Sequence, residues 1–288
     1  MKNCLPLNLF VFLWLLTNFL FPRFEKEFQT KLILTESGDV LEIPEGTQNL
    51  LGTLSLEGKE NIIIRGKGVD VSILSFAQQE DGAEGLKIIN CKNIQLEHFT
   101  IQDSKGDGIK VQDTDGISFI NVKAEWTNGP DAENGAYGIY PVQCRNVIID
   151  SCIAIGASDA GIYVGQSEQV IVKNSEAFHN VAGIEIENSS NVDVSNNYAH
   201  HNTGGILIFD LPDLIVKKGK NVRVFDNRIE ENNLDNFAPP GNIVGTVPAG
   251  TGIMVLATSD VEIFNNQIIN NFDSSTELPA IVISHFCS

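Results

Sequence analysis

The chain has 288 residues, 42% of them hydrophobic and 25 of them glycine, with 19 basic against 37 acidic side chains and a formal net charge of −18. That content can bury one substantial core, and the glycines with only 8% aromatic residues point away from helical bundles. The acidity excludes nucleic acid as a partner and disfavours unassisted binding of strongly anionic polymers.

From the N-terminus, Lys2 precedes an almost unbroken apolar run from Cys4 through Phe10, Trp14 and Leu16 to Phe21, the pattern of a secretory signal. Residues 1–24 are therefore expected to be a signal peptide or an N-terminal membrane anchor. The anchor reading has support because the run nears bilayer-spanning length and no small residues mark a cleavage site before Arg23. The chain is expected to be exported to the periplasm, the cell envelope or the medium, and to touch a membrane only if this segment stays uncleaved. The five cysteines (Cys4, Cys91, Cys144, Cys152, Cys287) form no disulfide-dense pattern and no zinc motif. Buried free thiols are the expected state, with Cys144 and Cys152 the one close pair.

Residues 25–288 read as one domain, with a cap and irregular coils over 25–84, where Val40-Leu-Glu-Ile-Pro and Asn61-Ile-Ile-Ile are the strand candidates. Regular coils run from Gly85 onward. Gly85, Gly108, Gly138, Gly161, Gly183, Gly205 and Gly252 each open a short stretch of the form Gly-apolar-x-apolar, at steps of 23, 30, 23, 22, 22 and 47 residues. A unit of 22 or 23 residues with inserted loops accounts for all of these steps. A second alternating segment follows about eight residues on (Asn146-Val-Ile-Ile, Gln169-Val-Ile-Val, Asn191-Val-Asp-Val, Asn221-Val-Arg-Val, Asp260-Val-Glu-Ile), and a third starts at Asn174, Asn196 and Asn265.

Three short strands per unit, each alternating with period two, cannot bury their apolar faces alone. Stacked at about 4.8 Å they enclose one continuous cylinder, so the predicted fold is all-β, a right-handed parallel β-helix. No stretch shows a helical apolar period. Asn174, Asn196, Asn265 and Asp226 recur at one turn, and stacked amides there are expected to bond along the column. Loops at 126–136, 210–220 and 232–251 are expected to bulge from one side and wall a groove. The sequence stops soon after Ala280-Ile-Val-Ile, the start of another unit, which predicts a C-terminally incomplete stack.

The outward residues of the first strands form one column of Lys87, Lys110, Tyr140, Tyr163, Glu185 and Leu207, and a second of Gln112, Val142, Gly165, Glu187 and Phe209. Lys110, Gln112, Tyr140, Tyr163, Glu185 and Glu187 are therefore the candidate substrate-binding residues: aromatic faces pack on sugar rings, and Lys and Glu bond hydroxyls. His179, His200 and His201 lie on the third-strand side, with His179 and His200 expected near each other in adjacent coils. Acidic loops holding Asp131 and Glu133, or Asp210 and Asp213, offer oxygen ligands for calcium, but without the glycine-and-aspartate nonapeptide of β-rolls. No cofactor and no metal site are expected.

The unit order, the Gly-Ile-x-Val strands and Tyr137-Gly138-Ile139-Tyr140-Pro141 resemble the periplasmic or secreted parallel β-helix repeat proteins of the pectin-lyase-like superfamily, mannuronan C5-epimerases among them. The epimerase motif reads Tyr-Gly-x-Asp-Pro-His; Tyr137, Gly138 and Pro141 fit, whereas Tyr140 stands at the aspartate position and Val142 at the histidine position. The expectation is a polysaccharide binder, uronate-containing glycans included, without an intact known catalytic motif. One alternative is a polyuronate lyase or C5-epimerase, with Lys110 neutralising the sugar carboxylate and Tyr137 or Tyr140, its pKa lowered by nearby charge, moving the proton. The other is an accessory module for an exported protein partner.

Overall fold

The computed structural model describes residues 24–272 and 281–284. The apolar leader, with the signal or anchor expected there, lies outside the described residues, as do Cys4 and Cys287. Among the described residues no helix is long and apolar enough to cross a membrane.

Every strand pairing is parallel, and each coil contributes to two continuous sheets. One sheet stacks nine first strands: Gly52–Glu57, Asp81–Ile89, Ile109–Gln112, Tyr137–Val142, Ala160–Gly165, Ala182–Glu187, Gly204–Phe209, Thr251–Leu256 and Ile281–Ser284. The other merges the second and third strands, because Lys92–Gln102 and Asp115–Glu125 run through both positions without a break. The interior is the predicted cylinder: Ile109, Ile162, Ile184 and Ile206 from the first sheet face Ile117, Val170, Val192 and Val222 from the second, all essentially unexposed. Such stacking removes apolar surface from water at roughly 25 cal/mol per Å², the main term holding a coil to its neighbours.

The recurrent glycine has a steric cause. A Cβ at Gly85, Gly108, Gly138, Gly183 or Gly205 would lie 2.5–2.7 Å from the carbonyl oxygen of the corresponding glycine one coil on. Glycine is required there by close approach of the chain to itself.

Non-glycine residues at positive φ also recur at fixed corners. Asn174, Asn196, Asp226 and Asn265 have φ between 52° and 56°, a left-handed conformation that asparagine and aspartate tolerate best. The amide column expected at these residues sits one position further along. Asn197 donates its backbone N–H and its Nδ2 to Asn227 Oδ1 (2.9 and 3.0 Å), and Asn227 does the same to Asn266 Oδ1 (3.0 and 2.9 Å). A second ladder, not anticipated, climbs the next corner through Asn180, Asn202, Asn232 and Asn271. The turn residue itself faces solvent because its left-handed backbone turns it outward, and the residue after it points in.

Cys91, Cys144 and Cys152 are free and buried in corner columns shared with Thr114, Ser167, Ser175 and Ser189. Burial pushes the Cys144 and Cys152 thiols up to about 12, so they stay protonated and inert.

The N-terminal cap differs from expectation. Residues 24–34 form an α-helix in which Phe24, Phe28 and Leu32, four apart, pack on the core. Gln29 bonds both the N–H and the carbonyl of Ser55 (2.8 and 2.9 Å), so the helix occupies the open edge of the first sheet. Val40–Glu42 and Glu60–Arg65 are strands, as expected.

Candidate functional site

The outer face of the first sheet carries the two predicted columns in register. Lys87 pairs with Lys110, Lys110 with Tyr140, Tyr163 with Glu185 and Glu185 with Leu207; beside them run Gln112, Val142, Gly165, Glu187 and Phe209. Alternation in a pleated strand places Glu185 and Glu187 on the same face, about 7 Å apart along the chain.

Tyr137, Tyr140 and Tyr163 form a three-ring cluster with centroids 4.4–4.9 Å apart. Lys110 Nζ lies 4.9 Å from the Tyr140 ring centroid and 3.8 Å from Asp107, while Lys87 pairs with Glu84 at 3.3 Å. Gln112 sits apart from the rings and bonds Asp113 and Gln143.

The inserted loops make part of this face an enclosure. Asn188 holds the loop after Phe209 through the Leu211 N–H and the Leu211 and Val216 carbonyls (2.7–2.8 Å). The longer loop after Glu230 contains a 3-10 turn, Ile243–Thr246, and Asn236 pins it by bonding the Val244 and Val247 carbonyls at 3.0 and 2.9 Å. Val244 and Val247 pack on Leu207 and Phe209, which are therefore buried although they point outward from the sheet. The strip expected to be an open groove is thus open at Lys87, Lys110 and Tyr140 and roofed at its other end. Tyr163, Glu185 and Glu187 are 4%, 3% and 6% exposed.

Under the roof lies a cavity of about 330 Å³ whose polar lining is Tyr137, Asp159, Glu185, Glu187 and Asn242 and whose apolar walls include Phe209 and Val244. Asp159, at the corner two residues before Gly161, lies outside both strand columns, and the period-two reading therefore missed it. Glu187 accepts a hydrogen bond from the Tyr163 hydroxyl. Asp159 Oδ1 and Glu185 Oε2 are buried and have no hydrogen-bond partner.

Burial, reinforced by the Glu187 charge, pushes Asp159 up to about 7, against the pull of a hydrogen bond with the Tyr137 hydroxyl. Burial and the neighbouring Asp210 push Glu187 up to about 7 as well. Glu185 is raised well above the usual carboxylate range by its complete burial and then by repulsion from Asp159. Asp107, at the open end, is pushed up to about 6, mainly by burial. The phenols of Tyr137 and Tyr140 are raised, first by burial and then by these carboxylates, which is opposite to the shift a tyrosine base requires. Among the described residues no group of three or more His, Cys, Asp or Glu side chains is arranged to hold a metal ion.

Elsewhere, His179 stacks over His201 and not His200, its N–H donating to the His201 carbonyl at 3.1 Å, because the coil register aligns Phe178 with His200. His200 and His201 are paired with Glu176 (3.0 Å) and Glu231 (2.9 Å). In the loops weighed for calcium, Asp131 caps the Glu133 N–H and Asp210 accepts the Gly219 N–H and the Thr258 hydroxyl. A larger concavity of about 800 Å³ runs across the second strands, where Asn221 bonds Asn191 (3.0 Å) and Arg223 makes a two-pronged pair with Asp193.

The right handed beta helix region family matches residues 64–248. The chain belongs to that family. No curated protein matches it significantly. Among solved structures, this beta helix is similar to the catalytic unit of the GH87 alpha-1,3-glucanase of Streptomyces thermodiastaticus, with 13% identity, a TM-score of 0.67, and 90% of this chain against 47% of that one. It is also similar to PfbA, a surface adhesin of Streptococcus pneumoniae (12% identity, TM-score 0.56, 91% of this chain and 78% of that one). A double mutant of the periplasmic alginate epimerase AlgG aligns at 13% identity with a TM-score of 0.50, over 79% of this chain and 68% of that one. The chain spans about half the length of the glucanase unit, and at these identities the likeness is one of fold.

Proposed function

We propose that this beta helix is an exported protein that binds a neutral polysaccharide along the outer face of its first sheet, entering at Lys110 and Tyr140 and seating one residue in the roofed pocket. The observation that carries the reading is the continuity of the three-tyrosine cluster, through Tyr137, with a cavity lined by the carboxyl groups of Asp159, Glu185 and Glu187. Aromatic faces pack on the apolar side of a pyranose, and carboxyl oxygens accept its hydroxyl protons. Neighbours of the same fold that act on polysaccharides, the glucanase and the alginate epimerase, are consistent with it. Export rests on the apolar leader alone.

Charge favours a neutral glycan over a uronate. Three acidic side chains line the pocket, and the two lysines at the open end already have carboxylate partners. A uronate carboxylate placed there would meet like charge in a poorly solvated site.

Calorimetric titration of the chain with neutral glucan oligosaccharides, alginate and polygalacturonate tests this reading. A neutral oligosaccharide is expected to bind, and Tyr140→Ala to weaken it about tenfold, the magnitude of one lost aromatic contact. Preferential binding of a polyuronate would overturn it and restore the lyase or epimerase alternative.

A further inference from the structure

The pocket is built beyond what holding a sugar requires. Hydroxyls are bonded well by ionised carboxylates at a wet surface, where keeping the charge costs little. Here three carboxyl groups are withdrawn from water within one cavity, and Asp159 and Glu185, 7% and 3% exposed, each keep a buried oxygen without a partner. An arrangement of that kind is expensive for the fold, because a buried polar atom left unpaired costs on the order of 1–3 kcal/mol.

The two groups also differ in surroundings. Asp159 stands at the corner beside Tyr137 and is 7% exposed, whereas Glu185 lies on the strand under the roof and is 3% exposed. Two neighbouring carboxyl groups in unlike surroundings divide one proton unequally between them.

Resting on the glycan-binding reading, we propose that the pocket is a hydrolytic centre that cleaves a glycosidic bond of a neutral glycan, with Glu185 as proton donor and Asp159 as proton acceptor. In the step, one water is consumed. Its oxygen forms a bond to the anomeric carbon and gives a proton to Asp159, while the bond from that carbon to the glycosidic oxygen breaks and the leaving oxygen takes the Glu185 proton. The products are two shorter saccharides. The proton on Asp159 returns to Glu185 by exchange with solvent, which restores the starting state with no redox change and no further reactant. Division of labour between a carboxylic acid and a carboxylate is the general requirement of glycoside hydrolysis. Glu187, already bonded to Tyr163, has its second oxygen available for a sugar hydroxyl.

The test incubates the purified chain with the neutral glucan oligosaccharides of the titration, measuring new reducing ends between pH 5 and 8, with alginate and polygalacturonate as controls. Reducing ends are expected from a neutral glucan and not from the uronates. Glu185→Gln and Asp159→Asn are each expected to lower the rate at saturating glucan about 10³-fold, both substitutions keeping side-chain shape. Binding by the wild-type chain without product would overturn hydrolysis and leave the binding reading standing. Neither binding nor product would overturn both, and cleavage that survives in the two variants would remove these residues from the reaction.

Discussion

Asn202→Ala is expected to destabilise the solenoid by about 2–6 kcal/mol, more than any exposed corner substitution. Asn202 is fully buried, and its Oδ1 accepts both the backbone N–H and the Nδ2 of Asn180, while its Nδ2 donates to the Ala177 carbonyl and to Asn232. Alanine strands the Asn180 N–H and takes the side-chain donor from the Ala177 carbonyl in a dry corner, at about 1–3 kcal/mol for each orphaned group, while Asn180 Nδ2 keeps the Ala154 and Phe178 carbonyls. Asn196→Ala provides the contrast. That side chain is exposed, its φ is 55°, and its loss costs only the strain of a left-handed alanine, about 1 kcal/mol, which Asn196→Gly avoids. Urea unfolding of the three variants measures the difference as a shift in midpoint at constant slope. Equal midpoints for Asn202→Ala and Asn196→Ala would show that the inner ladder does not hold the coils.

Glu185→Gln is expected to raise the melting temperature at pH 8 and to change it little at pH 4. The folded-state carboxyls of the pocket have raised affinity for protons, Asp159 and Glu187 up to about 7 and Glu185 also upward, whereas unfolded carboxyls titrate near 4. Between about pH 4 and 7 the native state therefore binds more protons than the unfolded chain, and stability falls as pH rises. For Asp159 and Glu187 the penalty is complete above about 7 and absent below about 4, and Glu185 adds to it as it ionises. Removing the deepest of the three charges relieves its own share and the repulsion it exerts on Asp159. Thermal denaturation at pH 4 and pH 8 reads this directly: the wild-type melting temperature is lower at pH 8, and the gap narrows in the variant. A wild-type melting temperature that climbs between pH 4 and 8 would mean that these groups ionise freely in the folded chain. A gain in stability from a substitution that also abolishes turnover is the trade-off expected of a site kept strained for function.

The cylinder was legible in the sequence because two independent periods, two residues within a strand and 22 or 23 between coils, agree at Ile109, Ile162, Ile184 and Ile206. The columns Lys110, Tyr140, Tyr163, Glu185 and Gln112, Val142, Gly165, Glu187 followed from the same registers. What escaped was whatever those periods do not encode. The helix over 24–34 has only three apolar turns, Phe24, Phe28 and Leu32, next to the apolar leader that masks their spacing. The amide ladder was displaced by one residue, since spacing alone cannot tell the left-handed Asn196 from the inward Asn197 that follows it. The roof was invisible for a different reason. Leu207 and Phe209 look like misplaced apolar residues on a solvated face until Val244 and Val247, from an insertion of irregular sequence, are seen to cover them. The same insertion withdraws Glu185 and Glu187 from water, and with it comes the corner residue Asp159, which no strand pattern selects.

Uptake of glycan on the outer face of the first sheet under the roof is tested by a hydrogen-exchange footprint of the full chain with and without a neutral glucan oligosaccharide. The expected result is slowed exchange in the loop of residues 241–250, which the bound sugar would hold down, and at the corner around Asp159, with no change across the second strands. Protection centred instead on the open concavity around Ile148, Ile171 and Asp193 would place the ligand on the opposite sheet and contradict the account.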